Sequence, residues 1–376
     1  MRHRAPSAAV VAALTAVSCL RISSGGTTPR PPIHLPTRQI ELIAGPLTAA
    51  DPADEYDSLQ LEQGKKWATS FPAHPSLLDA NYYDLAFVLY QIHYRTNDAY
   101  WLEQARRVAR AWRDWQGNRE IPLMLAQKPT TMVPPPRGFA TLGLAVLALE
   151  SADEAAERVV EDQARLVELS WMHYGDAREK AYSLMALVAA TVLGKDHGKN
   201  ARALLDTILA AQSPDGPWRD EPGTLVPVRY TLNYMNGLMM EALVLYDRAI
   251  GDPRILPAID KCMRWLWEKQ WLLELETFQY GDVDAGTVNT DPAPVLNGLF
   301  LPAWGYAYFR SGDPVLRQQG DRILEGLVYG GSKEIWGVKQ FDEAFRSSAH
   351  YPAFVAARAA GASSEADTGG RAMRKP

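Results

Sequence analysis

Apolar residues along this chain recur at the three- and four-residue spacing of helices, broken by brief turns, and runs with strand-like alternation are scarce. The helices are expected in pairs. Connections within the pairs are short and carry an aspartate: Arg95-Thr96-Asn97-Asp98, Ser151-Ala152-Asp153, Gly194-Lys195-Asp196, Gly251-Asp252-Pro253 and Gly312-Asp313-Pro314. Aspartate suits a helix N-cap, glycine a helix stop and proline a first helical turn, so each connection predicts a hairpin. The aspartates lie 55, 43, 56 and 61 positions apart, the length of one helical hairpin plus a long loop.

The two members of each hairpin differ. First members, such as Leu85 to Tyr94, Gly138 to Leu149, Ala181 to Leu193, Met235 to Tyr246 and Leu296 to Phe309, are apolar or small on nearly every side, as enclosed helices must be. Second members, such as Tyr100 to Trp115, Glu154 to Trp171 and Ile255 to Trp267, carry an apolar stripe among Arg, Glu and Lys and are expected to face water. Tyr56 to Ser70 and Phe341 to Ala360 pair across the termini to complete six hairpins. A straight solenoid would end in polar capping repeats, whereas the last helix is still apolar over Tyr351 to Ala357. The predicted fold is therefore all-α, an (α/α)6 toroid with an inner and an outer ring.

Composition narrows the function. Of the 376 residues 47% are hydrophobic and 22% charged, enough for a large core, and the net charge of −5 with no long basic run argues against nucleic acid. Two cysteines, Cys19 and Cys262, cannot build a metal cluster or a disulfide framework, and no cofactor or metal is assigned. Eleven tryptophans and sixteen tyrosines supply flat amphipathic rings suited both to cores and to stacking on sugars.

Residues 1–20 have the layout of an export signal, with Arg2 and Arg4 before a short apolar run, and Thr15-Ala16-Val17-Ser18-Cys19 approximates a lipoprotein cleavage box. Residues 21–50 are expected to form a tether, 51–361 the toroid and 362–376 a disordered tail. The expected location is outside the cytoplasm: periplasmic, secreted, or attached to a membrane only through lipid on Cys19.

Connections between hairpins are long, at Phe71 to Tyr82, Gln116 to Arg137, Gln212 to Thr231 and Trp271 to Val295, and all fall at the end where inner helices begin. Long loops gathered on one end of a rigid scaffold are where function is expected, and inner-helix N-termini there favour anionic groups. Residues entering this mouth include Tyr82, Tyr83 and Asp84; Arg137; His173, Asp176 and Arg178; Arg229, Tyr230, Asn233, Tyr234 and Asn236; and Arg346, His350 and Tyr351. Trp218, in the Gln212-Ser213-Pro214-Asp215-Gly216-Pro217-Trp218 turn, is the expected stacking platform. The competing reading gives His173 and His350 ordinary structural hydrogen bonds and makes Asp84 and Asp176 helix caps.

With its six hairpins, its Gly-Asp-Pro turns and its Gln212–Trp218 turn, the chain resembles toroid enzymes that degrade polysaccharides, among them unsaturated glucuronyl hydrolases and alginate-lyase-type toroids. Asn233-Tyr234-Met235-Asn236-Gly237-Leu238 resembles the Asn-His-x-Tyr-Trp helix of the latter, with Tyr234 where that family has histidine, Asn236 in place of its tyrosine and Gly237 in place of its tryptophan. The resemblance implies a polysaccharide or oligosaccharide substrate. Elimination from a uronic acid would use Tyr234 or Tyr230 with His173 or His350 for proton transfer, and Arg137, Arg178, Arg229 and Asn233 to neutralise the carboxylate. Hydrolysis would instead use a pair of carboxyls from among Asp84, Asp176, Asp282, Asp284, Asp291 and Asp342, and the double-bond hydration of the unsaturated glucuronyl hydrolases would fall to Asp84 or Asp176. A noncatalytic glycan-binding lipoprotein is the reading from a different class.

Overall fold

The structure is a computed structural model that describes residues 37–46, 54–69, 82–117, 136–170, 175–220, 230–282 and 289–372. The export signal, Cys19, His173, Arg229 and Asp284 lie outside the described residues. Helices α1 (Thr37–Ala44) and α2 (Asp54–Ala68) precede hairpins α3 (Leu85–Thr96) with α4 (Ala99–Trp115), α5 (Thr141–Ser151) with α6 (Glu154–Ser170), α7 (Ala177–Val192) with α8 (Gly198–Ala211), and α9 (Asn233–Ala249) with α10 (Ile255–Lys269). A two-stranded antiparallel ribbon, Trp271–Leu272 against Thr277–Phe278, and a 3-10 turn, Pro294–Leu299, lead to α11 (Leu301–Ser311) and α12 (Pro314–Tyr329). The chain closes with α13 (Val338–Phe345) and α14 (His350–Ala372).

Odd-numbered helices from α3 to α11 form the inner ring. Each packs on the next, and α13 with α14 bridges from α11 back to α3, while α2 lies outside between α12 and α3. The expected pairing across the termini is thus what closes the ring. Burial follows the predicted division: α9 is buried from Asn233 through Tyr246, whereas α4 buries only Trp101, Ala105, Val108, Ala109 and Trp112, one stripe of a helix whose other face is polar. Each such side chain taken fully from water contributes about 1.5–3 kcal/mol before the entropy of ordering is charged.

The hairpin turns work largely as read. Asp98 accepts from Tyr100 N–H at 2.9 Å, Asp153 from Ala156 at 2.9 Å, Asp252 from Arg254 at 3.0 Å and Asp313 from Val315 at 2.8 Å. Asp196 differs, because α8 starts later with His197 at its cap, and that imidazole meets Glu168 Oε1 at 2.6 Å. Pro352 falls in the first turn of α14, where no N–H is needed, after the helix breaks at 346–349.

Two expectations about the ends are corrected. The stretch read as tether contains α1, which buries Ile40, Ile43 and Ala44. It packs beneath the C-terminal ends of the inner helices: Gln39 donates to Val192 O at 3.2 Å, and Arg248 donates to Leu42 O at 3.3 Å and to Glu41 O. Apolar residues at three-residue spacing within this polar stretch are what make it a helix. At the other end, α14 continues to Ala372 through the segment assigned to a tail. No helix among the described residues is long and apolar enough to cross a membrane.

Candidate functional site

At the end of the ring where the inner helices begin lies a cleft of about 720 Å³, bordered by Tyr82, Tyr83, Arg178, Tyr234, Tyr280 and Glu343, with Lys333, Glu334, Trp336, Lys339 and Gln340 along one wall. A depression of about 790 Å³ on the outside of α10, bordered by Lys261, Arg264 and Trp265, includes none of the residues singled out as catalytic. The cleft at the mouth is the candidate site.

Local structure fixes its polar groups. Asp176 caps α7 by accepting from Glu179 N–H at 2.7 Å, which sets the first turn of α7 and aims Arg178 and Glu179. Glu179, with a side chain only 3% exposed, is paired with Arg137 and holds Arg178 Nε at 2.9 Å. Arg178 then donates from Nη1 to the Tyr82 hydroxyl at 2.5 Å. Two guanidiniums, Arg137 and Arg178, are gathered here around Glu179, with Asp176 3.9 Å from Arg178. Burial opposes the charge on Arg178, but Glu179 and its other neighbours hold its pKa above the ordinary value.

The phenols are kept protonated. Burial raises the pKa of Tyr82 against the pull of Arg178 and Arg137, and burial together with hydrogen-bonded Tyr280 raises that of Tyr234. The Tyr234 and Tyr280 rings sit 5.4 Å apart. Across from them, Glu343 is raised above the usual carboxylate range by burial, while Lys339, 3.5 Å away, and a hydrogen bond from Tyr83 pull it back. Glu334 is also raised by burial. One residue before Glu343, fully buried Asp342 has no hydrogen-bond partner on either oxygen, and burial with nearby Asp84 and Glu343 pushes its pKa well up.

Of the expected site residues, Tyr82, Tyr83, Arg178 and Tyr234 come together on the cleft, and Arg137 backs them with its guanidinium 5.9 Å from the Tyr82 ring. Tyr230 is half-buried beside it, its backbone bridged to Asp220. Others are taken up by the fold. Asp84 caps α3 in a left-handed conformation and accepts from Phe87 N–H at 3.2 Å and Gly143 N–H at 2.9 Å. A side chain at Gly143 would stand 2.4 Å from Asp84 Oδ1, so only glycine permits this approach of α3 and α5.

Asn236 pins Trp218, accepting from its N–H at 2.8 Å, while the indole donates to Ile208 O at 2.8 Å; Trp218 is thereby buried and cannot be a platform. Asn233 is fully buried and donates to Gln270 Oε1 and Gln279 O at 2.9 and 2.8 Å, so its amide is taken up by the fold. Tyr351 turns outward, donating to Arg317 O at 2.8 Å with Asp321 at 2.7 Å. Arg346 is buried below the cleft, paired with Glu241 at 3.0 Å and donating to Tyr83 O at 3.0 Å.

His350 is the clearest correction. The break before α14 carries it to the far end of the barrel, where Nε2 donates to Ala44 O at 2.8 Å and the Gln91 amide lies 2.9 Å from the same nitrogen. Burial, with Arg248, holds its pKa down to about 3, so it is a neutral structural group. Tyr280, Glu334, Trp336, Lys339 and Gln340 were not singled out from sequence. The start of α13 reads as an ordinary amphipathic turn, and Tyr280 and Trp336 lie in irregular segments without periodicity.

No protein-family profile and no curated protein matches the chain. Among solved structures, the chain is similar to a D-mannose isomerase at 12% identity, covering 74% of this chain and 88% of that one with a TM-score of 0.53. At that identity the likeness speaks to the fold, which is a helical toroid.

Proposed function

We propose that this protein is a carbohydrate-active enzyme that cleaves an acidic, uronic-acid-containing saccharide by β-elimination. The observation that carries the reading is the convergence of Arg178, Tyr82, Tyr234, Tyr280 and Glu343 on one cleft at the mouth of the ring. Likeness to a D-mannose isomerase supports sugar chemistry in general and no particular reaction.

Elimination requires that a weakly acidic carbon-bound proton be removed while the neighbouring carboxylate is neutralised. Arg178, held by Glu179, is the neutralising group. Glu343, a stronger base than an ordinary carboxylate, takes the proton. Tyr234 or Tyr82, protonated because of burial, returns one to the departing oxygen. This assigns the tyrosines the acid role of the two considered from sequence, since a phenol with a raised pKa is a poor base at neutral pH. The export-like first twenty residues support action outside the cytoplasm, on polymer.

Hydrolysis is the second reading, favoured by a specific feature: Glu334 and Glu343 are two carboxyls on one cleft, both with raised pKa. Incubation with alginate and glucuronan, following absorbance of the unsaturated product together with reducing ends, separates the two. Elimination predicts that chromophore and ends rise together. New ends without a chromophore would transfer the site to hydrolysis, and neither signal would remove both.

A further inference from the structure

Trp336 is 75% exposed, more than any other large hydrophobic side chain among the described residues, and it stands on the wall of the cleft. A tryptophan left in water forgoes a large hydrophobic gain, so its position is informative where the surrounding surface is concave. Its backbone is not loose. Gly331 in the 3-10 turn Gly331–Glu334 is so close to Pro294 that an added Cβ would lie 2.9 Å from that carbonyl, Glu334 accepts from Val295 N–H at 3.4 Å, and Trp336 N–H donates to Glu334 O at 3.1 Å. Ile335, immediately before it, is buried in the core. The backbone that carries the indole is therefore fixed, and a ligand stacking on it would have to order only the side chain.

Chemistry along the same wall specifies the ligand. Lys333 and Lys339 border the cleft with Trp336, and Lys339 Nζ lies 5.3 Å from the centre of the Tyr82 ring, between the indole's wall and the Arg178 corner. A flat apolar face flanked by ammonium groups matches a pyranose ring that shows C–H bonds on one face and carries a carboxylate at its edge.

We propose that Trp336 forms a separate stacking subsite for a further uronic-acid ring of the same chain, with Lys333 and Lys339 meeting its charge. The substrate is then an oligomer or polymer and not a single sugar. This deepens the elimination reading and rests on it for the position of the reacting ring.

The test measures kcat/KM and calorimetric affinity of the full chain for glucuronan and alginate disaccharide, tetrasaccharide and hexasaccharide, with wild type, Trp336→Ala and Trp336→Phe. Wild type should prefer the longer oligomers. Trp336→Ala should lose about tenfold of that preference, chiefly through KM, and Trp336→Phe should recover most of it. If Trp336→Ala keeps the full length preference while the enzyme still turns over, the subsite is refuted and the reading of the cleft stands. If wild type neither binds nor cleaves any of these saccharides, both fall. Equal circular dichroism spectra and melting temperatures for the variants exclude misfolding as the cause.

Discussion

Arg346 and Glu241 meet at 3.0 Å inside the ring, one from the break that follows α13 and the other from α9, with side chains only 1% and 4% exposed. Ser347 also donates to Glu241 at 2.5 Å, and Arg346 reaches Tyr83 O at 3.0 Å, so the pair ties the closing helix to the opposite wall and to the cleft floor. Removing one partner leaves the other charge buried. Glu241→Leu and Arg346→Met are each expected to cost about 3–5 kcal/mol in urea unfolding, with the double variant Arg346→Met/Glu241→Leu losing much less than the sum. Additive losses would mean that the two charges are not coupled.

Arg178 and Tyr82 test the proposed chemistry. Arg178→Ala should lower kcat on a uronan by about 10²- to 10³-fold, as expected for loss of one charge-stabilising donor, and Tyr82→Phe by less. Melting temperature should move little, because Arg178 borders the cleft and is not part of the core. A full-rate Arg178→Ala enzyme would remove Arg178 from the mechanism.

Asp220 gives a signed pH dependence. Its Oδ1 accepts from Ala177 N–H at 2.9 Å and its Oδ2 has no partner; burial raises its pKa from 3.8 to about 6. The folded protein therefore holds a proton that the unfolded chain has released between those values, so the contribution of this group falls as pH rises from 3.8 through 6 and is fully present only below. Asp220→Asn should gain stability relative to wild type across that window, read as a melting-temperature difference that widens from pH 4 to pH 6. A constant difference would contradict the burial argument.

His350 should behave oppositely. With its pKa held at about 3 in the fold against 6.5 for a free imidazole, it takes up a proton on unfolding, and stability is lost as pH falls from 6.5 toward 3. His350→Gln should reduce that acid sensitivity and leave turnover largely intact, whereas loss of a proton-transfer residue costs about 10²- to 10⁴-fold. A collapse of kcat without a change in melting temperature would restore His350 to the site.

The helical hairpins and the face carrying the cleft were legible because both rest on local signals: the spacing of apolar residues, aspartate caps, and long loops at one end. Residue roles within the mouth were not. Trp218 looks like a loop tryptophan free to stack, yet the Asn236 side chain, 18 positions on, folds that loop inward. His350 looks like a mouth residue until the break at 346–349 directs it to the other end. Glu343 needed the raised pKa that comes from its burial, a property of packing between distant segments. Tyr82, Arg178 and Tyr234 were found because they stand at or just before inner-helix starts, where position alone decides which end they face.

Helix α1 makes the barrel a blind vessel. With Arg248 gripping its backbone and His350 fastened to its last carbonyl, the lower end of the ring is stoppered among the described residues. Whatever is admitted past Tyr82 and Tyr280 must back out the way it came. A long strand of the proposed saccharide is accordingly expected to lie across the rim or be taken end first.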